Sequence, residues 1–438
     1  MGNLDRLLGV TGIGLMLVFA GIGGCSGSCP TGHARDAGAA GAASEAGTSS
    51  ESASCSVPAD QPGDATPAIQ HCIDQMGALG GGAVFLVGGQ YSIDSDHLRF
   101  QKGKHDNVRL SGAGTTTVLR LKPGLAKSAI LIGSDGIDLS DSCIAGSTDV
   151  AVTGIEIDSL RIVGNLGNPL DCCPVDSAAW HDCELYAGST VLTRNGITIR
   201  CAANVTISNV AIESTNSGGI VADHAYKLLV ENAEITSPLV DCFASNFTEG
   251  TVVRNVTCNA PGWSGFNADP ATNLTFDGNK VNGSGTFYRC PDTPWERPGI
   301  YARGVLGSTI VRNLVTSSSG VGIYLSGASS DVISDNQVAN STKVGIVLDY
   351  NPPATGGCVN GSSDNLLTGN EVTGGSDYAV WAVCPSLGNV ASANVCSGNG
   401  KPGVFFTSQP SCRGACDCGA TCADPSKMLQ ITDGTCTD

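Results

Sequence analysis

An alternating apolar and polar run opens at Ile197, usually just behind a glycine, and recurs at Ile220, Phe243, Phe266, Ile300, Ile323, Ile346, Val380 and Val404. The successive gaps are 23, 23, 23, 34, 23, 23, 34 and 24 residues. A second apolar column follows, in most repeats, ten residues after the first: Ile207, Val230, Val253, Phe276, Ile310, Ile333, Leu367 and Val390. Five residues further on lies a third, made of Ile212, Ile235, Cys258, Val281, Val315, Val338, Val372 and Val395. Three columns sharing one period identify a structural repeat, and such a repeat constrains the fold more than any local propensity does. Within each repeat the alternation has the period of a strand, and no stretch has the period of a helix.

One such coil cannot bury its apolar side alone. Coils must therefore stack, which places parallel strands about 4.8 Å apart. Asparagines gather at the bend behind the second column: Asn209, Asn232 and Asn255, then one position later Asn279, Asn313, Asn336 and Asn370. Asparagine tolerates left-handed backbone, and stacked copies can hydrogen-bond along the axis. Leucine-rich repeats have a similar length and also use asparagine. Here the strand positions carry Ile, Val and Phe, and two alternations per repeat leave no room for a helix. Upstream, Ile69, Cys72, Ile73 and Met76 stand at helical spacing, so residues 66–78 are expected to form an amphipathic helix plugging the open end. The expected fold is all-β: a single-stranded right-handed parallel β-helix with coils of ~23 residues and an N-terminal capping helix.

Composition narrows the partners. Glycine is 59 of 438 residues and DEKR only 14%, which excludes long solvated helices and coiled coils. A formal net charge of −17 repels phosphate backbones, so no nucleic-acid partner is expected. Twenty cysteines point to an oxidising compartment. The N-terminus agrees: Arg6 precedes an apolar run from Leu7 to Ala20, the pattern of a signal-peptide core and short for a membrane span. Residues 26–54, rich in Ala, Gly, Ser, Thr and Glu, read as a flexible tether.

Two family resemblances sharpen this reading. Ile22-Gly23-Gly24-Cys25 resembles the lipobox of bacterial lipoproteins, which implies cleavage before Cys25, lipid on its sulfur, and anchoring to a membrane of the cell envelope. An ordinary secretory signal cut nearby is the alternative, and both export the chain. The segment from Asp64 through Ile73-Asp74 to Gly80-Gly-Gly-Ala-Val-Phe-Leu-Val-Gly-Gly-Gln-Tyr91, followed by Val108-Arg-Leu-Ser-Gly-Ala-Gly114, resembles the opening coils of pectate-lyase-superfamily β-helix proteins. That resemblance covers roughly 60–407 and implies the fold. It leaves the reaction open among lyases, hydrolases, epimerases and non-enzymatic surface proteins.

On each first strand the anchor and the residue two later should face inward, leaving the residues one and three later facing out. The outer column three residues after the anchor reads Arg200, Asp223, Asn246, Asp269, Arg303, Ser326 and Asp349. The column one residue after it includes Asn267, Tyr301, Tyr324 and Trp381. Aromatic faces stack on sugar rings, arginines pair with uronate carboxylates, and carboxylates transfer protons. Three insertions border this face, at about 165–194, between Asn282 and Pro298 with Trp295, and between Asp349 and Leu367. Long loops of this kind are expected to wall a groove.

Asp269 and Asp223 are the candidate catalytic carboxylates, with Arg303 as the holder of a substrate carboxylate. Tyr301, Tyr324, Asn246, Arg200 and Trp295 are candidate substrate contacts. Two rungs separate the aspartates by about 10 Å of backbone, near what an inverting glycosidase uses. Alternatively Asp223, Asp269 and Asp349 could hold a calcium ion for a lyase, with Arg303 or Arg200 as base, as the resemblance implies. Val221-Ala-Asp-His224 resembles a strand motif of that family's pectate lyases, whereas the polygalacturonase Asp-Asp and Gly-His-Gly pattern is missing. The plainer reading pairs Asp223 and Asp269 with Arg200 and Arg303 as salt bridges and leaves His224 as a surface residue.

The tail Cys412-x3-Cys416-x-Cys418-x3-Cys422 with Cys436 reads as a disulfide-stapled cap rather than a metal cluster. Asn-x-Ser/Thr triplets such as Asn204-Val-Thr206 are taken as turn composition. The organisation is therefore signal peptide 1–24, tether 25–55, β-helix 56–408 and Cys-rich cap 409–438. The expected function is a monomeric extracytoplasmic protein, in the cell envelope or secreted, that cleaves an acidic polysaccharide without a cofactor, or with calcium if a lyase. A non-catalytic carbohydrate-binding or structural surface protein is the alternative.

Overall fold

The structure, a computed structural model, describes residues 53–59, 63–134, 152–166, 194–286, 297–351, 360–383, 386–401, 403–407, 429–432 and 436. Residues from Glu51 onward form one compact unit. The three apolar columns become three strands per coil, stacked in parallel. First strands pair in the sequence-read register: Ile197 with Ile220, Ile220 with Phe243, Phe243 with Phe266, Phe266 with Ile300, and so on to Val404. The third strands form a separate 11-stranded sheet running from Gly89–Ile93 to Val395–Ser397.

Inside, the columns are almost wholly dry. Ile197, Phe243, Phe266, Ile207, Phe276, Ile310, Ile235 and Val315 are all fully buried. Phe266 and Phe276 pack in one coil with ring centroids 5.4 Å apart, and Phe243 meets Phe276 edge-on at 6.1 Å. Burying each such side chain contributes about 1.5–3 kcal/mol, so stability is distributed coil by coil.

The last coil departs from the sequence reading. Leu367 pairs with Ala391 and Val372 with Cys396, so Ala391 and Cys396 take the inward positions. Val390 faces outward, and Val395 is 60% exposed. The cause is the final gap of 24 residues, one more than most, which reverses the alternation at both positions.

The two sets of asparagines also differ in role. Asn209, Asn232 and Asn255 occupy left-handed backbone at φ of 53°, 52° and 54°. Asn279, Asn313, Asn336, Asn370 and Asn394 are buried one position later and form a ladder. In it Asn279 Oδ1 accepts the Val256 N–H at 2.9 Å, and each later Oδ1 accepts the backbone N–H of the preceding asparagine at 3.0–3.1 Å. Each Nδ2 donates to a carbonyl, as Asn336 does to Ile310 at 2.8 Å. The one-residue shift is therefore a switch from an exposed turn to a buried polar stack.

The helix Thr66–Ala78 covers the first coils with Ile69, Cys72, Ile73 and Met76 buried, over the span expected. The strand Ser54–Val57 pairs with Gly82–Leu86, and Cys55 is bonded to Cys72 of the helix. The solenoid thus begins inside the stretch read as tether. At the other end Leu429–Thr432 extends the second-strand sheet beside Asn389–Ser392, and Cys436 is bonded to Cys396. A third disulfide, Cys242–Cys258, crosses the interior of one coil. Among the described residues no helix is long and apolar enough to cross a membrane.

Candidate functional site on the first-strand face

The outward columns of the first strands stand as read, with Arg200 beside Asp223, Asp223 beside Asn246, Arg303 beside Ser326 and Ser326 beside Asp349. Asp269 donates its backbone N–H to the carbonyl of Ser245 at 2.7 Å, which keeps it two rungs from Asp223. Exposure differs from expectation. Thr198, Val221, Ala244 and Asn267 point away from the lumen but are buried, as are Arg200 and Asp223. Beside Thr198 stand Ser128 Oγ, at 2.7 Å from its hydroxyl, and Asn195 Nδ2, which donates to it.

Each candidate carboxylate meets an arginine. Arg200 Nε lies 3.3 Å from Asp223 Oδ2, and the other carboxylate oxygen is 2.9 Å from His224 Nδ1. Arg303 forms an ion pair with Asp269 that is more open to solvent. Salt bridging, the plainer reading of these residues, is what the geometry contains, and Arg303 points at Asp269 rather than standing ready for a ligand carboxylate. His224 is no simple surface residue: its side chain is 15% exposed and its ring stacks on Phe247 at 4.9 Å.

The aromatic column continues from this polar patch. Tyr301 and Tyr324 occupy adjacent rungs with centroids 5.3 Å apart and planes 29° from parallel, and Trp263 meets Tyr301 edge-on. Tyr301 therefore turns a face toward Tyr324 rather than leaving both faces for a sugar. The Tyr324 hydroxyl donates to Asp349 Oδ2 at 2.5 Å. Beyond Val347 the column resumes with Trp381 and Phe405, 5.8 Å apart, and Phe405 lies flat on Tyr378 at 4.2 Å.

The calcium set does not assemble. Asp223 is held by Arg200 and His224, Asp269 by Arg303, and Asp349 by Tyr324. Among the described residues no three His, Cys, Asp or Glu side chains are placed to hold a metal ion. Asn246 is half-buried between the two ion pairs. Trp295 and Cys25 lie outside the described residues, as do most of the three insertions and Cys412, Cys416, Cys418 and Cys422.

Two buried carboxyls escaped the column reading. Burial pushes Asp241 up to about 6 against hydrogen bonds from the Ser264 hydroxyl, Asn267 Nδ2 and the Ser264 N–H. Asp241 lies beneath the first-strand face, since Asn267 pairs in register with Tyr301. Burial likewise pushes Asp331 up to about 7, with only the Ser308 N–H opposing. The available signal was positional: Asp331 stands in a column of turn residues, Ser308, Asp331, Asn365 and Asn389, whose other long members are asparagines.

Stacked parallel coils, one capping helix and a polar–aromatic outer strip define a right-handed parallel β-helix protein. Residues 195–352 and 295–415 match the model of the right-handed beta helix region, together just over half of the chain. The chain belongs to this family. Among curated proteins no sequence matches it. Among solved structures it is similar to the Agl-KA catalytic domain, with 14% identity, 86% of this chain and 66% of that chain covered, and a TM-score of 0.53. It is also similar to the catalytic unit of a thermostable GH87 alpha-1,3-glucanase from Streptomyces thermodiastaticus, with 16% identity, coverage of 90% and 71%, and a TM-score of 0.51. The A-module of a mannuronan C-5 epimerase of Azotobacter vinelandii is 17% identical over 79% of this chain and 96% of its own, with a TM-score of 0.48. At these identities the likeness to the first two is one of fold.

Proposed function

We propose that this protein is an extracytoplasmic β-helix enzyme that binds a polysaccharide along its first-strand face and hydrolyses it there. The observation that carries this reading is the single strip joining Arg200–Asp223–His224, Asp269–Arg303 and the Tyr301–Tyr324–Asp349 stack. An extended chain of sugars laid along the axis meets a new rung about every 4.8 Å, so charged and aromatic groups recur along it. Asp269, kept beside Arg303, is the carboxylate that stabilises the positive charge developing at the anomeric carbon.

The pairing of both arginines with aspartates favours a neutral glycan over the acidic one expected from sequence. Elimination from a uronate needs a cation on the sugar carboxylate, and here Asp223 and Asp269 already face those guanidiniums. The net charge of −17 adds long-range repulsion of a polyanion. Incubation of the purified protein with neutral and uronate glycans, with and without calcium, tests this. New reducing ends from a neutral glycan without new ultraviolet absorbance are expected. An unsaturated product from a uronate polymer refutes hydrolysis, and no product from any glycan refutes the enzyme reading in favour of a binding scaffold.

Location and anchoring belong to the same proposal. Disulfides Cys55–Cys72, Cys242–Cys258 and Cys396–Cys436 support an oxidising compartment. Lipid on Cys25 would then hold a monomer at the cell envelope. Cys25→Ala should move the protein from the membrane to the soluble fraction, and unchanged fractionation refutes the anchor.

A further inference from the structure

On the proposed hydrolytic reading, we propose that His224 is the proton acceptor of the centre, with Asp223 and Arg200 as its positioning residues. Asp223 Oδ1 is 2.9 Å from His224 Nδ1, while Oδ2 faces Arg200 Nε at 3.3 Å. Both members of that ion pair are buried, with side chains 6% and 7% exposed. A carboxylate fixed in this way sets Nδ1 as the protonated nitrogen, which leaves the Nε2 lone pair for proton exchange. Asp223, a candidate catalytic carboxylate by sequence, then acts through the imidazole.

The backbone supplies a second, independent observation. Cys201, His224 and Phe247 occupy one corner position in three successive coils, at φ of 55°, 52° and 50°. Later coils fill the same corner with Gly304 and Gly327, at 58° and 62°. Left-handed backbone disfavours side chains, and glycine is its ordinary occupant. Three coils nevertheless carry a side chain there, and each is engaged: Cys201 is disulfide-bonded, His224 is bonded to Asp223, and Phe247 stacks on His224 while 52% exposed. At this corner Phe247 of the next coil lays its ring on the imidazole whose Nδ1 faces Asp223.

In the hydrolytic step Nε2 takes one proton from water, and the water oxygen forms its bond to the anomeric carbon. The glycosidic C–O bond breaks with its electron pair going to the leaving oxygen, which takes a proton from solvent. The imidazolium returns its proton to solvent, so the net reaction consumes one water.

The test uses the full chain and the glycan that wild type cleaves. His224→Gln should lower kcat by about 10²- to 10⁴-fold with KM within about threefold. Asp223→Asn should lower kcat by about 10- to 100-fold and move the acid limb of the pH profile. Nitrogen-15 spectra of wild type, with the His224 ring assigned by through-bond correlation to its own backbone, should show Nδ1 protonated and Nε2 bare. Turnover of His224→Gln within threefold of wild type overturns this role and leaves the hydrolytic reading standing. The opposite tautomer overturns it even if the variant fails to fold. Wild type that cleaves no glycan overturns both.

Discussion

Asp331 should be the most pH-sensitive weak point of the solenoid, and replacing it with asparagine should stabilise the protein only above acidic pH. Its Oδ1 accepts the Ser308 N–H at 2.6 Å, while Oδ2 is buried without a hydrogen-bond partner. One coil later Asn365 shows what that position supports. Its Nδ2 donates to the Ala328 carbonyl and to Asn389 Oδ1, each at 3.0 Å. A carboxylate has no proton to donate there, so folding favours the protonated acid, and burial raises it from 3.8 to about 7. Between about pH 4 and 7 the folded chain holds a proton that the unfolded chain releases, so stability falls as pH rises through that window. Three pKa units correspond to about 4 kcal/mol in full. With an unfolding entropy of about 2.1 cal/mol/K per residue, a unit spanning Glu51–Asp438 converts that into a midpoint shift of roughly 5 °C. Thermal unfolding of Asp331→Asn and wild type by circular dichroism at pH 4, 6 and 8 measures it. The variant should melt about 5 °C higher at pH 8 and within about 1 °C of wild type at pH 4. A difference independent of pH, or a variant that melts lower at pH 8, refutes the reasoning.

Other substitutions separate structural from chemical roles. Asp158 is the opposite case. Burial raises it, but hydrogen bonds from Asn209, Arg109, Ser159 and Ser208 outweigh that and hold it at about 2. Asp158→Asn should forfeit up to about 2 kcal/mol at pH 7 and less than about 0.5 kcal/mol at pH 2, where most of the wild-type advantage is lost as the carboxyl protonates; equal losses at both pH values in urea titrations contradict this. Asn336→Ala breaks the buried ladder and should destabilise by roughly 3 kcal/mol, whereas Asn232→Gly, at an exposed left-handed turn, should change stability by less than about 0.5 kcal/mol. Similar denaturation midpoints for these two variants refute the division of roles. Asp269→Asn should lower glycan turnover by about 10²- to 10⁴-fold at unchanged melting temperature, and a loss below threefold removes Asp269 from the chemistry.

The fold was legible because burial in a solenoid leaves a periodic record. Ile197, Phe243 and Phe276 recur at intervals that only stacked coils satisfy, and the helix Thr66–Ala78 shows in the spacing of Ile69, Ile73 and Met76. The reading slipped where a single residue is added, at Val390 and Val395, because one insertion reverses which side faces in. The site was legible as a set of columns but not as contacts. Arg200 and Asp223 on neighbouring rungs foretold an ion pair as readily as a catalytic acid, and only side-chain positions show Asp223 turned to His224. Phe247 escaped notice because its column is defined by backbone angle rather than by hydrophobicity.

Hydroxyl-radical footprinting with and without the cleaved glycan, read by mass spectrometry, tests the central claim most directly. Glycan on the first-strand face should protect Tyr301, Tyr324, Trp263 and Phe247 from oxidation while Val332 and Val395, exposed on second and third strands, stay as reactive as before. Unchanged oxidation of the four aromatic residues, with protection appearing at Val332 or Val395 instead, contradicts the account.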